Sequence, residues 1–246
     1  MKKSKIFDLS AISIIFCDCI QGILLIFIDL FLVSNVLKNE NYDITYRIIQ
    51  IALFYIIYYA VLGISYNFSG FYLKNHNKSV FVSIGAFGFT IVVVLVYILR
   101  AQLITYLPLI ALLYGLSFGF YSPGYHNLTS ETISSKHQVR FFAVKRMGFQ
   151  AVYVIFPLVF GFIDDYVNFS VVIIIMAVLC VALVVFSFLI RPKKVYKLSF
   201  NIPKFCRYLK KNKQSTEPLK WVYVSNFFRG ASIVCFTTFL SILLWI

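Results

Sequence analysis

The sequence predicts an all-α membrane protein that crosses the bilayer seven times. Three observations carry that prediction. The 246 residues are 61% hydrophobic and only 13% charged, a composition that excludes a hydrophilic globular fold. The apolar residues fall in runs of about 20, the length a helix needs to cross the hydrocarbon core. The basic residues behind the net charge of +14 sit between those runs rather than in one patch. That placement argues for membrane orientation and against a nucleic-acid partner.

The expected spans are 9–34, 44–66, 79–99, 103–122, 141–163, 169–190 and 221–246. Met1-Lys2-Lys3-Ser4-Lys5 ahead of the first run resembles a signal peptide. The run is too long for one, contains Asp18 and Asp29, and lacks a small-x-small cleavage site, so it reads as an uncleaved span. Lysine and arginine then fix the orientation. Lys2, Lys3, Lys5, Lys74, Lys78, Lys136, Arg140, Lys145, Arg146 and the lysine-rich stretch 191–220 fall on one side. Only Lys38, Arg47 and Arg100 fall on the other, beside Asp164 and Asp165. The N-terminus is therefore expected in the cytoplasm.

Span one carries Asp18 and Asp29 about three helical turns apart, on one face with Gln21. A carboxylate in a bilayer is costly and normally faces a cavity or an opposite charge. Asp29 also fits an outer cap near the headgroups. Span two is rich in tyrosine, with Tyr55, Tyr59 and Tyr66 along one face. Span three, around Val92-Val93-Val94, reads as peripheral and lipid-facing.

Span four has two stripes. Gly115, Gly119, Ser122 and His126 allow a second helix to approach closely. Tyr114, Tyr121 and Tyr125 form a neighbouring face suited to lining a cavity. The span is expected to end around Ser122-Pro123-Gly124-Tyr125-His126, followed by a hinge over 127–140 with Glu131, Lys136, His137 and Arg140. Span five repeats the pattern, with Arg146, Gln150, Pro157 and Gly161 on one stripe. Pro157 is expected to bend the helix and Gly161 to permit close contact. Span six reads like span three.

The stretch 191–220 is a basic connection. Phe205, Tyr208 and Leu209 at helical spacing among Lys204, Arg207, Lys210 and Lys211 suggest a short helix on the inner leaflet. Span seven carries Asn226 and Arg229. Asp18 and Arg229 lie at similar depth, and a pair between them would lower the cost of each charge. The chain stops at Leu243-Leu244-Trp245-Ile246 without a polar flank, the pattern expected of a fragment.

Six spans, a basic cytoplasmic loop and a new span resemble the major facilitator superfamily. The match would be to its first six-helix half (1–190), its central loop (191–220) and the first helix of its second half (221–246), a truncated twelve-helix fold. Gly70-Phe71-Tyr72-Leu73-Lys74-Asn75-His76-Asn77-Lys78 keeps the glycine and basic character of that family's loop between spans two and three but lacks its Asp. Glu131 and Arg140 match the acidic and basic residues around its span four-to-five connection. Pro157 and Gly161 match part of an antiporter signature in span five, with Phe156 and Phe160 in place of glycines. The arginine often found in span four is replaced by Ala111.

The resemblance implies secondary active transport of a small solute by alternating access. It implies a solute or coupling path at Asp18, Gln21, Asp29, Tyr114, Tyr121, Asn226 and Arg229. It implies a cytoplasmic gate at Gly70, Lys74, Lys78, Glu131 and Arg140, in which Glu131 and Arg140 are in contact when the site is open outward, with Gly115, Gly119, Pro157 and Gly161 serving packing and bending. Protons coupled through Asp18 or Asp29, and export, are the expected energetics. The expected partners are the lipid bilayer, the solute and a second six-helix half that is missing from this chain or supplied elsewhere.

The alternative is a membrane-embedded enzyme with an acid/base cluster at His126, Glu131 and His137. No His-Glu-x-x-His or recognisable nucleophile accompanies it, so no enzymatic activity, cofactor or metal is expected. Cys17, Cys19, Cys180, Cys206 and Cys235 read as apolar filler. The abundance of Ile, Phe, Lys, Asn and Tyr points to an AT-rich bacterial genome, and so to the plasma membrane of a bacterium.

Overall fold

The computed structural model describes residues 8–73, 78–134 and 137–191, without the side chains of 70–72. The connection 192–220, span seven with Asn226 and Arg229, and also Lys74 and Lys136, lie outside the described residues. The described residues are helical with no strand among them. Six helices are long and apolar enough to cross a membrane.

The first crossing is α1 (Leu9–Ile26), a π-helical turn (Phe27–Leu32) and α2 (Val33–Leu37) in one continuous run. Asp8 caps its start by accepting from the Ala11 amide at 3.0 Å, which satisfies one of the orphan donors of the first turn. The later crossings are α3 (Ile44–Tyr72), α4 (Lys78–Ile98), α5 (Leu103–Thr132, led by a 3₁₀ turn at Arg100–Gln102), α6 (Gln138–Tyr166) and α7 (Phe169–Leu189). Asp43 and Asn168 cap α3 and α7 by accepting from the Thr45 and Ser170 amides. The hydroxyl and amide of Thr45 hold the exposed Asp43 carboxyl below the usual carboxylate range.

Helix α5 is the central element. It packs on α3 along one side and α4 along the other, while α4 also meets α7, and α1 lies between α7 and α6. Small residues make both α5 contacts close. A Cβ at Gly115 would stand 2.8 Å from the Tyr58 carbonyl oxygen, and one at Gly119 would stand 3.0 Å from the Tyr66 nitrogen. On the other side, a Cβ at Gly85 would stand 2.6 Å from the Tyr121 nitrogen. The α3 hydroxyls of Ser65 and Ser69 donate to the carbonyls of Gly115 and Gly119 at 3.2 and 2.9 Å. Such bonds and close backbones hold helices together where no hydrophobic force acts between them.

Two expectations need correction here. Span four does not end near His126: α5 runs through Pro123 and Gly124 to Thr132, so most of the expected hinge is helix. Proline at 123 removes the amide that would bond the Gly119 carbonyl. The Ser69 hydroxyl takes that place, and the helix continues. Span three is not peripheral either. Val82, Ala86, Phe89, Val92, Val93 and Val96 of α4 are buried, because α5 and α7 both cover that helix.

The ends expected on the outer side are tied. Lys38 pairs with Asp164 at 3.2 Å, Arg47 donates to the Leu37 carbonyl, and Arg100 donates to Ser170 at 2.7 Å. These are the three basic residues expected on the outer side, and each reaches across to a neighbouring segment.

Candidate functional site

Two clusters of polar side chains converge inside the bundle, one around each carboxylate of the first crossing.

Asp18 lies about two and a half turns into α1 and is buried. Lys145 reaches it from α6, with Nζ 3.0 Å from Oδ1 and both side chains 12% exposed. The α5 residue Tyr125 completes the group. Its hydroxyl donates to the Ile14 carbonyl at 2.9 Å and lies 3.3 Å from the same Asp18 oxygen. The ammonium also stands 4.8 Å from the centre of the Tyr125 ring, so ring face and carboxylate share one cation. A charge inside the bilayer is tolerable when paired in this way. The helices meet closely at this level. A Cβ at Gly22 would stand 3.1 Å from the Phe149 ring, and one at Gly148 would stand 3.3 Å from the Cys19 sulfur.

Asp29 lies in the π-helical turn. Tyr55 of α3 donates to it at 3.2 Å. The carboxylate is also within electrostatic reach of Tyr58, Tyr59, Tyr114 and Tyr153. The Tyr58 ring stacks on that of Tyr114 at 4.8 Å and touches that of Tyr59 at 4.7 Å.

A line of rings joins the two clusters. Tyr114 meets Phe89 at 5.8 Å, Phe89 meets Tyr121 at 5.5 Å, and Tyr121 stacks on Tyr125 at 5.4 Å. Tyr114 and Tyr121 are wholly enclosed. The Tyr121 hydroxyl faces the Cys17 thiol and has no oxygen or nitrogen partner among the described residues, and the Tyr114 hydroxyl has none either. Gln21 sits half-buried about one turn beyond Asp18.

At the cytoplasmic end expected from charge placement, Lys78 opens α4 and forms an ion pair with Glu131 near the end of α5. Both side chains are buried. Arg140, expected beside Glu131, stands exposed at the start of α6. Gly70 lies in the last turn of α3. Pro157 and Gly161 lie in an unbroken α6, and a Cβ at Gly161 would meet nothing within 4 Å among the described residues. His126 is exposed on α5 against the Tyr125 ring, and no group of three or more His, Cys, Asp or Glu residues among the described ones could hold a metal.

The sequence model of the Major Facilitator Superfamily matches residues 13–246, nearly the whole chain. The chain belongs to the major facilitator superfamily. No curated protein matches it in sequence. Membership makes the six apolar crossings part of a multi-pass membrane transporter. In that setting Asp18, Lys145 and Asp29 are charged groups of a transporter's interior rather than of a soluble core.

Sequence reasoning did not single out Lys145 as Asp18's partner, nor Tyr58 and Tyr153 as neighbours of Asp29. Lys145 was legible as basic but was assigned to the membrane edge, because span five was started at its first apolar residue. Three more residues of helix at the N-terminal side, Gln138 to Arg140, carry it deeper.

Proposed function

We propose that this member of the superfamily is a secondary active transporter that moves a small solute by alternating access, exports it, and draws on a proton gradient. The buried Asp18–Lys145 pair capped by Tyr125 is the observation that carries the reading. A carboxylate held by an ammonium between helices α1 and α6 has two stable arrangements. In one it is ionised and paired. In the other it is protonated and released, and the helices are free to shift. A bundle that can exchange these arrangements converts proton binding into movement.

Alternating access needs a second bundle, which a further six-helix half would supply. The plasma membrane, with the N-terminus in the cytoplasm, is the location that fits the distribution of Lys and Arg. The Lys78–Glu131 pair serves as a latch between α4 and α5 at the cytoplasmic face. Catalysis around His126, Glu131 and His137 is disfavoured by the same contacts, since Glu131 is engaged by Lys78 and His126 rests on Tyr125.

The test is export from cells overproducing the full-length protein, with a panel of sugars, organic anions and organic cations. Export that stops when a protonophore collapses the pH gradient, and that Asp18→Asn uncouples from the gradient, supports the reading. Export indifferent to the protonophore overturns proton coupling through Asp18.

A further inference from the structure

The Asp29 cluster has no role in the pairing of Asp18 and Lys145, and its chemistry is different. Four crossings meet there. Asp29 comes from the π-helical turn, Tyr55, Tyr58 and Tyr59 from α3, Tyr114 from α5, and Tyr153 from α6. All lie near mid-membrane. Asp29 is about 12 Å from the outer end of its run, and Tyr55, Tyr114 and Tyr153 are about 17–20 Å from theirs, at about 1.5 Å per residue.

Three independent features mark the cluster as a site rather than as packing. A π-helical turn is rare, and such turns concentrate where a helix serves function; this one carries the carboxylate. The Tyr114 hydroxyl is buried within reach of that carboxylate and has no hydrogen-bond partner among the described residues. A buried hydroxyl without a partner is costly unless something else satisfies it. Finally, the cluster is accessible on one flank, where Tyr59 is 43% and Tyr153 36% exposed.

Aromatic ring faces carry negative potential and attract cations, most strongly when water is excluded. One carboxylate among several such faces, with phenol hydroxyls as its other polar groups, complements a positive charge on an apolar body. We infer that Asp29 and the tyrosines around it form a binding site for an organic cation, a quaternary or protonated amine or phosphonium with apolar substituents. Asp29 supplies the opposite charge. Tyr59 and Tyr153 supply ring faces, and Tyr114 supplies a hydroxyl to a ligand that carries an acceptor. This rests on the transporter reading and names the class of its substrate.

Equilibrium binding of radiolabelled tetraphenylphosphonium to the purified full-length protein tests the inference. Tetraphenylborate, which has the same shape and opposite charge, is the control. Saturable binding of the cation, with no saturable binding of the borate, is expected. Asp29→Asn should weaken it by about thirtyfold or more. Tyr59→Phe should keep the affinity within about twofold, while Tyr59→Leu should lose about fivefold. Tyr59 is partly exposed, so these two variants decide the matter even where Asp29→Asn fails to fold. Equal binding of the borate, or an affinity that Asp29→Asn or Tyr59→Leu leaves unchanged in folded protein, overturns the site. Failure of the transporter reading looks different: the cation would bind saturably at Asp29 yet never be moved across a vesicle membrane. Transport of another solute by a protein that does not bind the cation would sink only the inference.

Discussion

Asp18 and Lys145 meet largely out of contact with solvent, each side chain 12% exposed, so their contribution has to be separated from that of the fold. Removing one member strands the other in a low-dielectric setting, at a cost of about 3 kcal/mol. Removing both leaves no stranded charge. Lys145→Met should therefore lower the melting temperature in detergent clearly, and Asp18→Asn combined with Lys145→Met should recover most of that loss while coupling to the proton gradient is not restored. A double variant no more stable than the Lys145 single would show that the ammonium acts through its packing on Tyr125. At this scale the sequence was half legible. An aspartate within an apolar run announces itself, because few side chains cost more there. Its partner does not, because pairing depends on how α1 and α6 face each other. Depth alone pointed to Arg229, which lies outside the described residues, as the partner. The Lys78–Glu131 pair has the same lesson. Both residues were expected at one gate, with Arg140 as the contact of Glu131, and only the approach of α4 to α5 shows Lys78 in that place.

Helix α5 shows how an element outlasts the residues that should end it. Pro123 frees the Gly119 carbonyl, and Ser69 donates to that carbonyl at 2.9 Å. Ser69→Ala should cost about 1 kcal/mol in the wild-type background. In a Pro123→Ala background the helix regains its own amide donor, so the same change should cost roughly half as much or less. Additive costs in the double-mutant cycle would mean that the hydroxyl and the proline act independently. The glycines of the helices divide in the same physical way. Gly115 has the Tyr58 carbonyl where a Cβ would stand, while Gly161 has open space. Gly115→Ala should sharply reduce the yield of folded protein and Gly161→Ala should leave it close to wild type, as size-exclusion profiles would report. The stripe of small residues on span four was readable from spacing. The burial of α4 was not, because a helix facing lipid and a helix facing protein are equally apolar. The pair Gly85 and Gly88 was the available signal, since both sit against Tyr121 and Ser117 of α5.

For the molecule as a whole, the apolar runs gave the number and order of the described crossings, while the orientation rests on the placement of the lysines alone. Helix ends were less legible, since a helix continues past the membrane wherever its backbone bonds can be satisfied. What periodicity could not supply is which faces of the bundle meet water. Helix α6 has only Phe141, Val152 and Phe160 buried, yet it carries Arg146 and Gln150 in exposed positions. Helix α7 is also widely exposed but apolar, with Val178 at 64%. Lipid accepts the second arrangement and penalises the first, because an arginine and an amide at that depth need water or polar partners. We therefore propose that the strip of α6 bearing Arg146, Gln150 and Tyr153 faces the solute path and that α7 faces the bilayer. With the five native cysteines replaced by serine, Gln150→Cys should react with a membrane-impermeant maleimide, and the exposed Val185→Cys at comparable depth should not. Addition of a transported solute should slow the first reaction, because the solute and the reagent compete for one aqueous route. An inert Gln150→Cys beside a reactive Val185→Cys would reverse the assignment and move the path to the opposite side of the bundle. The Asp29 cluster, whose exposed rim includes Tyr153 of the same strip, would then open toward lipid and could not receive a solute from water.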